Sequence, residues 1–298
     1  MTLDLSPAEG EVLPGEPLSR HTTLRIGGPA EVFVVARNSA GLAKALQAAS
    51  GSDKPFRILG RGSNVLVADE GLPGYVVLLG GEFLEVEIDG DHVLAGAGAS
   101  LGGVCAKAAQ AGLSGLEAVS GIPSSIGGAV RINAGAYGGE IFDVLESVDL
   151  LTQKGDRIQK KASQIAHDYR WTELVDSGEI VCRAVMKLSP SPREAIEERV
   201  RSVAAKRRGA LPPQANAGSV FKNPPGQFAG KLLEECGLKG IRQGEAEISS
   251  RHANVIVNLG EASARDVLEL MRLMKRSVVE KFGIELAAEV EILGLPWP

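Results

Sequence analysis

Glycine is gathered into runs in this chain, and that gathering restricts the fold more than any other feature. The chain has 37 glycines in 298 residues, about one in eight against an average near 7%. Dispersed glycine would describe a flexible linker. Glycine concentrated between apolar stretches describes a folded chain whose backbone must approach a ligand closely or adopt positive φ. One run is Gly60-Arg61-Gly62-Ser63-Asn64-Val65-Leu66. A second is Gly121-Ile122-Pro123-Ser124-Ser125-Ile126-Gly127-Gly128-Ala129-Val130, continued by Asn133-Ala134-Gly135-Ala136-Tyr137-Gly138-Gly139.

With 44% hydrophobic and 23% charged residues, the chain can bury a substantial core, and its length allows two or three domains. A net charge of −5 leaves no basic footprint for nucleic acid. Cys105, Cys182 and Cys236 form no CxxC pair and cannot all pair with one another, so reduced thiols in a cytoplasmic protein are expected. Met1 to Pro7 lacks a basic region and a continuous apolar stretch, so no signal peptide is expected, and no segment is long and apolar enough for a membrane span. A soluble protein follows from that reading.

Periodicity predicts a strand at 30–37, a helix at 39–49 with Leu42, Ala45, Leu46 and Ala49 on one face, and short strands at 57–59 and 65–67. Together these make a β-α-β-β unit of about 70 residues. From about Gly71 the strands 75–79, 83–88, 92–95, 144–151, 157–159 and 180–188, interrupted by a helix at 100–111, indicate an α+β class with a largely antiparallel sheet. A helix at 190–208 opens at Pro192. Its basic run of Arg199, Arg201, Lys206, Arg207 and Arg208 reads as a solvated helix end rather than an anion site. The Leu-Pro-Pro-Gln texture after Gly209 marks a boundary. Beyond it come a helix at 228–236, a strand at 254–259, and a long helix at 265–282 with Ser263 and Asp266 at capping spacing and Gly283 as its stop. The Leu268, Met271, Met274 and Val278 stripe reads as core, and 285–293 as a closing strand.

Backbone N–H groups in the first glycine run can converge on phosphate oxygens, with Ser63 and Asn64 adding donors. The small residues of the second run allow a backbone to lie flat against a planar or diphosphate ligand. Neither run is a P-loop, and Gly96-Ala97-Gly98 lacks the third glycine of a Rossmann fingerprint. A third stretch, Asn216-Ala217-Gly218-Ser219-Val220-Phe221-Lys222-Asn223-Pro224, places a serine after a glycine without a GxSxG elbow. Ser219 could donate a proton with cationic help, or it could belong to a structural turn. His21, His92, His167 and His252 show no triad or metal spacing.

These stretches, with Thr22–Ala30, Tyr169-Arg170, Arg251–Asn258 and Glu289–Gly294, occur in one order, and in that order the chain resembles the UDP-N-acetylenolpyruvoylglucosamine reductase family from about residue 18 to 294. Phe228-Ala229-Gly230-Lys231-Leu232-Leu233 resembles the shorter class of that family. The resemblance implies a two-part FAD-binding domain of the vanillyl-alcohol-oxidase type, at 1–70 and 71–208, with a C-terminal α+β substrate-binding domain at 209–284 and the 285–298 strand returning to the first part. It implies noncovalent FAD held by Gly60, Arg61, Gly62, Ser63, Asn64 and Val65 and by Gly121, Ile122, Pro123, Ser124, Ser125, Gly127, Gly128, Ala129, Asn133, Gly135, Ala136 and Tyr137. The position of a flavin-linking histidine in some relatives of that fold falls within Ser63-Asn64.

The resemblance further implies NADPH as co-substrate and a UDP-amino sugar enolpyruvyl ether as substrate, in peptidoglycan precursor synthesis. Ser219 takes the place of the proton donor, Arg170 of the arginine that stabilises the enolate, and Glu289 of the neighbouring acid. Lys222, Asn223, Lys231, Arg251, His252 and Asn254 are expected at the UDP phosphates or sugar. Two positions depart from the family pattern: Ser124 where glycine is usual, and Glu291 where arginine is usual, which leaves Glu289 and Glu291 to be distinguished. No metal is implied, and a monomer is expected. Another flavoenzyme of the same scaffold and a noncatalytic nucleotide-sugar binder are the competing readings.

Overall fold

The computed structural model describes residues 3–296. The chain divides into two compact units, each assembled from three separate stretches. The first comprises Met1–Pro14, Val32–Arg61 and Gly74–Arg207; the second comprises Gly15–Glu31, Gly62–Pro73 and Arg208–Pro298. The last stretch of the second unit begins at Arg208. The stretches 15–31 and 62–73, however, group with the C-terminal residues, which no local change of composition announces. Met1, Thr2 and the last two residues of the expected 285–298 strand lie outside the described residues.

The first unit holds two sheets. One has the strand order Gly10–Pro14, Ala30–Ala36, Leu72–Leu79, Phe56–Leu59. The expected β-α-β-β unit is corrected here. Leu72–Leu79, assigned to the next segment from sequence, lies between its two neighbours, with Phe56–Leu59 beside it in parallel. Its nearly continuous burial suits an inner strand covered on both faces. Val65–Val67 does not join this sheet at all. The helix Ser39–Gly51 begins at Asn38, whose side chain accepts from the Gly41 N–H, and buries Leu42, Ala45, Leu46 and Ala49 as its period demands.

The other sheet is antiparallel, in the order Arg157–Lys161, Leu145–Leu151, Ile180–Lys187, His92–Gly96, Val86–Asp89. Its edge differs from the expected strand 83–88. Gly81–Leu84 forms a 3-10 turn that buries Phe83 and exposes Leu84, and only Val86–Asp89 is strand. Phe83 is therefore out of phase with Val86 and Ile88, which obey the period of two. The helix Leu101–Gln110, capped by Ser100, and the short helix Ile126–Arg131 complete this core.

In the second unit, Ala215–Asn216, Ile256–Asn258, Ala246–Ile248 and Arg242–Gln243 form an antiparallel sheet in that order. Helix Ala264–Phe282 buries Leu268, Met271, Met274 and Val278. Ser263 and Asp266 form a reciprocal capping box, and Gly283 ends the helix at φ 67. The expected closing strand is shorter than 285–293: only Glu291–Leu293 is strand, paired in parallel with Val65–Val67. Residues before it turn to another partner, with Ala288 bridged to Phe221 and the Glu289 N–H donating to the Val220 carbonyl at 2.8 Å.

Candidate active site

In the first unit the glycine runs approach each other. A Cβ added at Gly60 would lie 2.6 Å from the Ser125 hydroxyl, so a side chain there would displace the group that caps the helix of the second run. Ser125 caps the helix Ile126–Arg131 by accepting from the Gly128 N–H at 3.3 Å. Ser124, the departure from the family pattern, donates its hydroxyl to the Ser125 carbonyl at 2.9 Å, so its side chain is tied into the loop. Asn133 is fully buried at φ 45. Its amide accepts from the Phe142 N–H at 3.3 Å and donates to the Asp168 carbonyl at 3.4 Å. The Asn133 side chain thus holds the 133–142 loop to the segment that carries Arg170, and its polar atoms face the protein.

Arg170 itself donates to the Gly135 carbonyl, and its guanidinium carbon sits 4.9 Å from the Tyr169 ring centre. Three of the five non-glycine residues with positive φ among those described are Asn133, Tyr137 and Arg170. Left-handed backbone at a tyrosine and an arginine is strained, and such strain gathers where a backbone must present a site. Tyr137 is exposed.

The basic run at 199–208 is not simply a solvated helix end. Arg199 pairs with Glu117 at 2.8 Å, and Arg201 with Glu197 at 3.8 Å. Arg207 lies over Gly121, where an added Cβ would be 2.9 Å from its Cδ, and burial pushes its guanidinium below its ordinary value. No hydrogen-bond or ion-pair partner for Arg207 is found among the described residues. The signal available in sequence was only the helical spacing of 199, 203 and 207, which puts these residues on the face that also buries Val203.

In the second unit, Gly62 at φ 59 packs so tightly that a Cβ would fall 2.0 Å from the His21 carbonyl oxygen. The Thr23 N–H donates to the Gly62 carbonyl at 3.0 Å, and its hydroxyl to the Asn216 carbonyl at 2.7 Å. Asn216 in turn accepts the Gly218 N–H at 2.9 Å, an Asx-turn that sets Gly218 at φ 74 just before Ser219. Ser219 is half-buried, and its hydroxyl has no hydrogen-bond partner among the described residues. Asn64 donates to the Glu289 carbonyl at 2.9 Å, and the Glu291 N–H donates to the Asn64 carbonyl at 3.0 Å. Ser219 and Glu289 therefore come from adjoining extended segments, whereas Glu291 has moved on to the Val65 strand. Ser63 and Val65 are half-buried and Arg61 is exposed.

The expected substrate contacts divide sharply. Lys231 is exposed, with Glu235 at 3.9 Å, and Lys222 is half-buried. Asn223 accepts from the Ala229 N–H at 3.0 Å and so starts the helix Ala229–Glu235. Arg251 donates to the Arg208 and Leu211 carbonyls, each at 3.0 Å. His252 packs on Gly230, and its Nδ1 accepts from the Asn254 N–H at 3.2 Å. Burial, and after it the Lys239 charge, lowers its pKa. Asn254, expected at the substrate, is 2% exposed, and its amide is turned inward to the Phe221 backbone.

A family model for the UDP-N-acetylenolpyruvoylglucosamine reductase C-terminal domain matches residues 211–293, and one for an FAD binding domain matches residues 30–159. The chain is 44% identical to UDP-N-acetylenolpyruvoylglucosamine reductase 2 of Symbiobacterium thermophilum, over 97% of this chain and 94% of that protein. The chain belongs to the UDP-N-acetylenolpyruvoylglucosamine reductase family. The reductase of Moorella thermoacetica is 42% identical over 98% of this chain and 99% of its own length. The crystal structure of the Thermus caldophilus reductase superposes with a TM-score of 0.83 at 42% identity, covering 97% of this chain and 99% of that one.

The chain is accordingly an FAD-dependent oxidoreductase, α+β in class, with an FAD-binding domain followed by the family's C-terminal domain. The residues present fit that cofactor. The first unit offers a glycine turn packed against the Ser125 hydroxyl, a run of small residues with strained backbone at Asn133 and Tyr137, and the Arg207 guanidinium beside Gly121 to meet an anion. No helix among the described residues is long and apolar enough to cross a membrane.

Proposed function

We propose that this chain catalyses the NADPH-dependent reduction of UDP-N-acetylglucosamine enolpyruvate to UDP-N-acetylmuramate. FAD would be held without a covalent bond by the Gly60–Val65 turn and the Gly121–Tyr137 run. When bound, it supplies a two-electron relay from NADPH to the enolpyruvyl β-carbon. The rest of the chemistry falls to side chains. Charge arises on the α-carbon and its carboxylate, and Ser219 gives the proton that quenches that carbon. Arg170 faces the carboxylate with two N–H donors, a match that a lysine cannot make. Glu289 is the acid at the same centre. Lys222, Asn223, Lys231, Arg251 and His252 serve the UDP phosphates and sugar.

The observation that supports this reading is the backbone bond from the Glu289 N–H to the Val220 carbonyl, which ties the Glu289 backbone to the residue after Ser219, whose hydroxyl has no partner among the described residues. The same reading carries a cytoplasmic location, a monomeric state, and the functional division into 1–70, 71–208 and 209–284 with 285–298 returning to the first part. The test is the visible spectrum of the purified protein, kept anaerobic. The flavin band should bleach with NADPH and return when the enolpyruvyl UDP-sugar is added. A flavin that bleaches but ignores that sugar would assign the chain another substrate. A protein that takes up no FAD would sink the proposal.

A further inference from the structure

We infer that Asn254 is the positioning residue for the Ser219 hydroxyl, acting through the Val220–Phe221 backbone and not through contact with substrate. The inference rests on the reading of Ser219 as proton donor. The Asn254 Oδ1 accepts from the Phe221 N–H at 3.0 Å, and its Nδ2 donates to the Phe221 carbonyl at 2.8 Å. Its own carbonyl accepts from the Val220 N–H at 2.9 Å. One asparagine thus makes three bonds to the two residues that follow Ser219. At 2% exposure, its amide is turned to the Phe221 backbone and away from solvent.

Position matters here because Ser219 does nothing to hold itself. With no protein partner for its hydroxyl, its direction is set by the backbone on either side. Upstream, the Asn216 Asx-turn places Gly218 at φ 74. Downstream, Val220 is held from both edges: its N–H by Asn254, and its carbonyl by the Glu289 N–H at 2.8 Å. The Asn254 N–H is itself directed, at 3.2 Å, to His252 Nδ1, which keeps the clamp in register. Asparagine suits the place because it supplies an acceptor and a donor at once to Phe221, which is 1% exposed and has no water to replace them. Aspartate has the same shape but would set a second acceptor against the Phe221 carbonyl.

The experiment compares Asn254→Asp, Ser219→Ala and the double variant as FAD holoenzymes, following both half-reactions anaerobically. For Asn254→Asp, flavin bleaching by NADPH should stay within about twofold of the parent. Reoxidation by saturating UDP-N-acetylglucosamine enolpyruvate should slow at least about tenfold, with little change in the half-saturating concentration and a larger solvent deuterium isotope effect. Added to Ser219→Ala, the substitution should slow reoxidation no further. If Asn254→Asp does not accumulate folded, Asn254→Ser, which removes the amide but keeps the backbone bond to Val220, carries the same prediction. A weaker half-saturation with an unchanged limiting rate would make Asn254 a substrate contact and overturn the inference. So would slowing that multiplies with that of Ser219→Ala. Reoxidation untouched by Ser219→Ala alone would instead remove the proton-donor reading, and the inference with it.

Discussion

Ser219 and Arg170 differ in how the protein holds them, and the difference shapes what their substitution should do. The Ser219 hydroxyl has no partner among the described residues, so Ser219→Ala removes a hydroxyl and little structure. Flavin reduction by NADPH should persist, while reoxidation by the enolpyruvyl sugar slows about 10²–10⁴-fold, the usual worth of a general acid. Equal loss in both half-reactions, read by stopped-flow absorbance, would take Ser219 out of the proton step. Arg170 sits at φ 57 and already gives one N–H to the Gly135 carbonyl. Lysine at 170 keeps the charge and bears the same backbone conformation, so Arg170→Lys isolates the fork. Losing a charge-assisted hydrogen bond worth about 1.5–3 kcal/mol should slow substrate turnover at least tenfold. Unchanged turnover would exclude Arg170 from the reaction. Glu289→Gln should slow reoxidation and Glu291→Gln should not, since only Glu289 has its backbone on Val220; the reverse order of effects would exchange their roles.

The turn at 60–65 shows how a local element can be set by residues distant in sequence. Gly62 needs positive φ and meets the His21 carbonyl, so its conformation and its packing both exclude a side chain. Gly62→Ala should destabilise the second unit by about 2 kcal/mol or more. The change should appear as a lower urea midpoint with the far-UV spectrum otherwise retained, and a midpoint within error of the parent would mean that the His21 segment can move aside. Strong local signals made other elements readable. The 264–282 helix carries its capping box, its apolar stripe and its terminal glycine in plain order. The sheet formed by 215–216, 256–258, 246–248 and 242–243 was barely visible beforehand, because strands of two or three residues are too short to display a period. The Asp69 side chain that accepts the Ala264 N–H at 2.8 Å was equally hidden, since nothing near residue 69 names a helix so far along the chain.

Two units assembled from interleaved stretches should also respond to acid at different points. His252, in the second unit, has its pKa lowered from 6.5 by burial. The unfolded chain therefore takes up a proton before the folded one does. Its contribution to stability is full above about pH 6.5 and is lost as pH falls through the lowered folded value. Glu117, in the first unit, is opposed by burial, but hydrogen bonds from backbone N–H groups and from Arg199 and Ser114 prevail and hold it below 4.5. Its contribution survives until pH drops under that value. Hydrogen exchange should show residues 249–258 losing protection before residues 113–119 as pH is lowered from 7, and the opposite order would refute this assignment. Family, cofactor, α+β class and the order of the chemical motifs could all be read from residues, because glycine runs, caps and motif order are written contiguously. The place of Leu72–Leu79, the departure of Val65–Val67 to Glu291–Leu293, the burial of Asn254 and the separation of Glu289 from Glu291 depend on backbone hydrogen bonds between segments far apart in sequence. A side chain's polarity says that it needs a partner; only the folded backbone decides whether that partner is a ligand or the protein itself.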